Sequence, residues 1–97
     1  MPETLFIKFV LNQNMSKFIP FIFSQNVEFS EGVAIVPGPD GKTPKNVYLT
    51  VTFPFTTVLT TGTVVLEAGI IKINGWEGVS PLTRTTWVSV CGIIEVL

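Results

Sequence analysis

Few side chains in this sequence could do acid, base or nucleophilic chemistry. The chain has no histidine, which excludes Ser-His-Asp and Cys-His catalysis and histidine-ligated metal sites. Glu28 and Glu31 are near enough in sequence for a glycosidase-like carboxylate pair. Their positions, on the polar face of a strand and at a turn, are however where carboxylates are simply solvated. We therefore expect no enzyme activity and no catalytic, metal-binding or cofactor-binding residues.

Cys91 is the single cysteine of the chain. One thiol cannot form an internal disulfide and does not suit most thiolate metal sites. Its surroundings, WVSVCGII, are typical of a buried strand. The pattern predicts an unreactive thiol in the core.

Residues 37–46, PGPDGKTPKN, contain a GKT tripeptide at 41–43 like the end of a phosphate-binding loop. Such a loop requires a glycine five residues earlier and a following helix, so that a row of backbone N–H groups surrounds the phosphates. The position five residues before Gly41 is Val36, and two prolines remove donors from the row. The segment that follows alternates like a strand. The motif therefore does not predict a nucleotide site.

The same segment predicts a stiff, projecting loop. Proline presets one backbone angle, Asp40 bonds its own backbone and Gly41 takes a positive φ, as in a tight turn. The loop also holds Lys42 and Lys45 in a chain with few charges. We expect Asp40, Lys42 and Lys45 to be available to an outside partner.

Three aromatic residues are candidate interaction residues: Trp76, within NGWEG, together with Trp87 and Tyr48. They could form a flat platform that stacks on sugar rings. Alternatively, Trp76 covers one end of the fold or anchors a contact between subunits, where aromatic residues are enriched. The sequence leaves both interpretations open.

Composition limits the class of protein. A chain of 97 residues forms one domain, here residues 1–97. Charged residues are 13% of the chain, against about 25% in typical soluble domains. So little charge on a small domain indicates that copies or partners cover part of the surface.

Charge and hydropathy also exclude some partners. The net charge is -1 and the basic residues are scattered, so we expect no nucleic-acid binding, which needs a basic stripe. Polar residues interrupt the apolar N-terminal stretch well before the ~20 residues of a membrane span. Glu3 and the lack of a small-residue cleavage site argue against a signal peptide. We expect neither a span nor a leader.

Alternation of apolar and polar residues predicts strands, and no window has a helical stripe. Glycines mark a turn or a bulge at Gly32, a bulge at Gly69 and a bend at Gly92, and Pro20 places its segment at a sheet edge or a bulge. The strand segments are 4–11, 18–23, 27–36, 47–55, 63–73 and 82–97, and turns are expected at 12–16, 24–26, 37–46, 56–62 and 74–81. These patterns predict an all-β fold of six to eight strands, an antiparallel β-sandwich, jelly-roll-like, or a small β-barrel.

A small all-β chain with little charge and apolar residues on both faces of several strands is suited to contact with other chains. The terminal segments 4–11 and 91–97 carry one charge each, and uncharged edges favour strand addition. We expect a self-assembling structural subunit with copies of itself and other structural proteins as partners. Fold-level analogy favours a viral capsid, decoration or tail protein, in a virion or an extracellular assembly. The alternatives are an extracellular filament subunit and a binding module for carbohydrate or peptide.

Overall fold

A computed structural model describes residues 17–56 and 59–97 of the chain. These residues form strands and no helix, so no helix long and apolar enough to cross a membrane occurs among them. The all-β prediction is confirmed, whereas the strand predicted over 4–11 lies outside the described residues. In chain order the strands are β1 (Lys17–Glu28), β2 (Val33–Val36), β3 (Pro44–Thr52), β4 (Thr60–Glu67), β5 (Ile70–Glu77), β6 (Ser80–Pro81) and β7 (Thr85–Val96).

The strands make two antiparallel sheets that pack together as a β-sandwich, as the sequence predicts. The first sheet has the order β1-β7-β3, with β7 in the centre. The second has the order β2-β5-β4, and the short β6 also pairs with β5. Four connections cross between the sheets, whereas β4, β5 and β6 follow one another within the second sheet.

The core lies between the sheets and follows from the period of the strands. In β7 the side chains of Val88, Val90, Ile94 and Val96, which their spacing places on one face of the strand, are all 0% exposed. Successive side chains of a strand point to opposite faces, so Trp87, Cys91 and the other odd-numbered residues of β7 lie outside. The second sheet contributes Ala34, Val36, Ile71 and Ile73 to the same core.

The apolar residues of the predicted strand 63–73 change from one face to the other near Gly69. The sequence predicts a bulge there, whereas the structure has a turn. Ala68 and Gly69 have φ values of 51° and 77° and link β4 to β5. Two successive positive φ values match the two-residue type I′ turn, whose twist suits a hairpin. The predicted bulge at Gly69 is therefore wrong, and the change of face marks a hairpin.

Two of the predicted turns are also wrong. Residues 24–26 continue β1 without a break in its pairing with β7. Residues 74–77 continue β5, so Trp76 is a strand residue, and the turn after it is confined to Gly78 and Val79. Serine, asparagine and glycine favour turns on average, but in both segments cross-strand pairing overrides that preference. The turn at Gly32, with φ of 83°, is confirmed.

One end of the sandwich is held together by backbone hydrogen bonds. The Gly32 N–H donates to the Leu82 carbonyl oxygen at 2.7 Å, and the Gly75 N–H donates to the Gly32 carbonyl oxygen at 2.7 Å. Gly75 is required here because a Cβ would lie 2.9 Å from the ring of Phe29. This junction ties the β1–β2 turn to β5 and to the residue that follows β6.

The two long sides of the sandwich differ. On one side β3 and β4 approach closely, since a Cβ on Gly62 would lie 3.0 Å from the side chains of Val51 and Phe53. On the other side the edges of β1 and β2 border an open groove of about 520 Å³. Residues that line this groove include Phe23, Val27, Val33 and Ile35.

Candidate interaction surface

The outer face of the first sheet is the candidate functional surface. It is made of the even-numbered residues of β1, the even-numbered residues of β3 from Asn46 onward and the odd-numbered residues of β7, because the pairing places them side by side. Pro20, Ile93 and Tyr48 form one row across the three strands, and Ile22, Cys91 and Thr50 form the next. We call this surface the outer apolar face.

Large apolar side chains are exposed on this face. The exposed fractions are 79% for Ile22, 58% for Phe18, 55% for Tyr48 and 43% for Ile93. The rings of Phe18 and Tyr48 come from opposite edge strands, yet their centroids are 6.3 Å apart. The two rings therefore lie close together over β7 and form one continuous apolar patch.

A second aromatic pair lies at the other end of the face. The centroids of Phe55 and Trp87 are 5.6 Å apart in an edge-to-face arrangement, and Trp87 Nε1–H donates to Ser24 Oγ at 3.0 Å. The strand predicted over 47–55 ends at Thr52 in the structure. Phe55 therefore lies beyond the end of β3, where it is 75% exposed.

Cys91 lies on the outer apolar face, and the predicted core thiol is wrong. Cys91 is exposed, and its Sγ is 3.9 Å from Thr50 Oγ1. The neighbouring residues did indicate a central strand correctly. They could not indicate which face was buried, because β7 is apolar on both faces.

Charge on this face lies near its two ends, with Glu28 at one end and Glu95 near the other. Glu95 accepts a hydrogen bond from Asn46 Nδ2 at 2.8 Å and is 3.8 Å from Lys45 Nζ. Lys45 falls at the point where the pairing of β3 with β7 shifts register. The bulge brings this lysine close to Glu95, and no charged residue lies in the middle of the face.

The outer face of the second sheet is different. Lys72 lies in its central strand and its Nζ is 3.3 Å from Glu67 Oε1. Trp76 lies on this face and is 44% exposed. A charged pair over the central strand makes this face the less apolar of the two.

The structure separates the aromatic candidates. Tyr48 and Trp87 share the outer face of the first sheet, but Tyr48 pairs with Ile93, six positions along β7 from Trp87. At about 3.3 Å per residue, six positions correspond to about 20 Å. Trp76 belongs to the other sheet. The three rings therefore do not share one platform.

The loop candidates also lie apart from Trp76. Asp40 and Gly41 occupy the turn, Gly41 has φ of 68°, and the Lys42 N–H donates to the Pro39 carbonyl oxygen at 3.4 Å. The turn at Asp40 and Gly41 is confirmed, but residues 44–46 of the predicted loop already belong to β3, so Lys45 is a strand residue. The loop lies beside Ile70, at the opposite end of β5 from Trp76.

Sequence reasoning missed the residues that contribute most to the surface, namely Phe18, Ile22 and Ile93. The usable signal was the segment FIPFIF, which is apolar on both faces and contains an edge-type proline. An edge strand that is apolar on both faces buries only one of them in the core. The other apolar face of β1 is exposed.

The described residues offer little else that could act chemically. No group of three histidine, cysteine, aspartate or glutamate side chains among them could hold a metal ion. Within residues 17–56 and 59–97, no buried side-chain nitrogen or oxygen lacks a hydrogen-bond partner. In comparisons with known proteins, no family model, curated protein or solved structure matches the chain.

Proposed function

We propose that this chain is a structural subunit without enzyme activity, which assembles with copies of itself through the outer apolar face. The observation that supports the proposal is the patch of Phe18, Ile22, Tyr48 and Ile93, exposed by 43–79% on a face with no charge at its centre. Monomeric proteins rarely expose contiguous apolar patches larger than a few hundred Å². Interface cores are likewise depleted of charge and enriched in aromatic residues.

The energy available from this patch suits repeated, reversible contacts. Burying a large apolar side chain completely contributes about 1.5–3 kcal/mol, so the exposed parts of these side chains correspond to about 4–7 kcal/mol per copy. Association costs an estimated 4–15 kcal/mol in lost freedom of motion. One such contact would be weak, and an assembly held by many of them would depend on concentration.

The biological setting is part of the same proposal and rests on analogy of fold and composition. A virus particle is the setting we favour, with the chain as a capsid, decoration or tail protein. An extracellular filament is the alternative. Electron microscopy of the purified protein distinguishes them, since rings or shells support the first and filaments the second.

The experiment for self-assembly compares two isoleucines of equal exposure. Ile93 on the first sheet and Ile70 on the second are both 43% exposed. We expect Ile93→Thr to weaken assembly, measured by light scattering after size exclusion over a wide concentration range, and Ile70→Thr to leave it unchanged. Threonine keeps the β-branched shape, so both variants should fold. A wild-type chain that stays monomeric throughout, or two variants with equal effects, would refute the proposal.

A further inference from the structure

The outer edge of β1 is unpaired in the part of the chain that the structure describes. β1 is 12 residues long and, among residues 17–56 and 59–97, forms a ladder only with β7. Its other edge borders the open groove opposite β2. A long free edge offers a row of backbone donors and acceptors to another strand.

The pairing shows which backbone groups point to that edge. Phe29 continues the register of β1 and its N–H donates to the Arg84 carbonyl oxygen at 3.0 Å. Hydrogen-bonded residues alternate along an antiparallel ladder, so the odd-numbered residues of β1 bond to β7. The even-numbered residues direct their N–H and C=O groups outward. Pro20, an even-numbered residue, therefore lacks only an outward donor, which is the usual position of proline in an edge strand.

Charge on this edge is restricted to its two ends. Lys17 and Glu28 begin and end β1, and neither has an ion pair within the described residues. No charged residue lies between them, although charges are the usual protection of an edge strand. Two copies of β1 in antiparallel orientation bring the basic end of each close to the acidic end of the other. A parallel arrangement would bring like charges together.

We propose that a second copy of this chain pairs with β1, antiparallel and about a two-fold axis at Ile22. The two first sheets then form one continuous sheet of six strands, three from each copy. The inference rests on the proposed self-assembly and names the edge, the partner and the register. A two-fold contact of this kind uses the same patch on both subunits.

The register follows from faces and side chains. The midpoint of β1 lies between Ile22 and Phe23. A two-fold axis perpendicular to the sheet places odd-numbered residues opposite odd-numbered ones and even-numbered residues opposite even-numbered ones. An axis near the midpoint must therefore pass at Ile22 or at Phe23. An axis at Phe23 would place Glu28 opposite Phe18 of the other copy and would desolvate the carboxylate. An axis at Ile22 instead buries Ile22, which is 79% exposed, against its own copy. It also places Phe21 opposite Phe23 of the other copy.

The test uses opposite charges at the axis. Ile22→Glu or Ile22→Lys alone should raise the dissociation constant of the dimer about tenfold or more, because like charges directly opposite each other repel. An equimolar mixture of the two variants should recover association as a mixed dimer, measured by native mass spectrometry. The control is Ile70, which is 43% exposed on the second sheet and does not line the groove beside β1; I70E and I70K should neither dissociate the protein nor show recovery. A mixture that stays monomeric refutes the pairing.

A second measurement identifies the occupant of the edge. Hydrogen exchange followed by NMR should show the N–H of Ser24 and Asn26 protected at high concentration and exchanging on dilution, with Gln25 and Val27 protected throughout. Protection of Ser24 and Asn26 at every concentration would mean that a segment of the same chain covers the edge. That result would overturn the pairing between copies.

The two proposals fail in different ways. If the wild-type chain never associates, the proposed function fails and the pairing fails with it. If the chain associates and Ile93→Thr weakens it, but the Ile22 mixture shows no recovery, only the β1 pairing is wrong.

Discussion

Gly92 is the position where a single added methyl group should do most damage. It lies in the central strand β7 with φ of 149°, a conformation that residues with a side chain rarely adopt. A Cβ there would overlap the carbonyl oxygen of Tyr48 and would lie 3.0 Å from Leu49 Cα. Both obstacles are backbone atoms of β3, so no side-chain rotation relieves them.

The cost of Gly92→Ala can be worked out in two parts. A residue held in a sparsely populated backbone conformation costs about 1–3 kcal/mol. Moving β3 away from β7 weakens ladder hydrogen bonds worth about 1 kcal/mol each. We expect a loss of about 2–4 kcal/mol, a large part of the about 5–15 kcal/mol by which domains are stable. In a domain of this size each kcal/mol lowers Tm by about 4–8 °C.

The assay is thermal unfolding followed by circular dichroism, with Gly69→Ala as the matched control. Gly69 also has a positive φ, of 77°, but nothing lies within 4 Å of a Cβ placed there. The control carries conformational strain without overlap and should lose only about 1–2 kcal/mol. Equal losses for the two variants would show that the close approach of β3 to β7 is not as described.

Three further predictions concern the core, a turn and the outer apolar face. Ile94 is 0% exposed, and Ile94→Ala should lower the free energy of unfolding by about 2–5 kcal/mol, as measured by urea unfolding. Ala68→Asn should stabilise the chain by about 0.5–1 kcal/mol in the same assay, because asparagine is favoured at the first position of a type I′ turn; a loss of stability would contradict the turn type. At concentrations where the protein does not assemble, Cys91 should react with iodoacetamide as quickly in the folded protein as in the urea-unfolded chain, because Cys91 is exposed. Slow labelling of the folded protein would contradict its outward position.

The sequence predicted the fold class well because the strand signal is strong where one face is apolar. In β7 the spacing of Val88, Val90, Ile94 and Val96 places them on one face of the strand, and the structure buries all of them. Reasoning of this kind failed where both faces are apolar, since alternation then carries no information about which face is covered. Cys91 is such a case, and only the pairing of β1 and β3 with β7 shows its direction.

The candidate surface was harder to predict than the fold. The low charge pointed to covered surface, but the location of that surface depends on which strands become neighbours. Phe18 and Tyr48 are thirty residues apart in sequence and their ring centroids are 6.3 Å apart, a contact that exists only because β7 lies between their strands. The turn-rich neighbours of Trp76 predict a turn, whereas β5 continues through it, because the pairing of β5 with β4 and β6 extends to that residue.

The position of β7 in the first sheet has a consequence for the order of folding during synthesis. Both of its neighbours, β1 and β3, precede it in the chain and pair only with it among the described residues, so neither can join this sheet until the ribosome has synthesised β7. The β4–β5 hairpin has no such requirement, and hairpins form within about 1–10 μs once their residues are available. The second sheet is therefore expected to form first, while β1 and β3 of the nascent chain have not yet paired with β7. A chain truncated before β7 would lack the outer apolar face altogether, so only completed subunits could join an assembly.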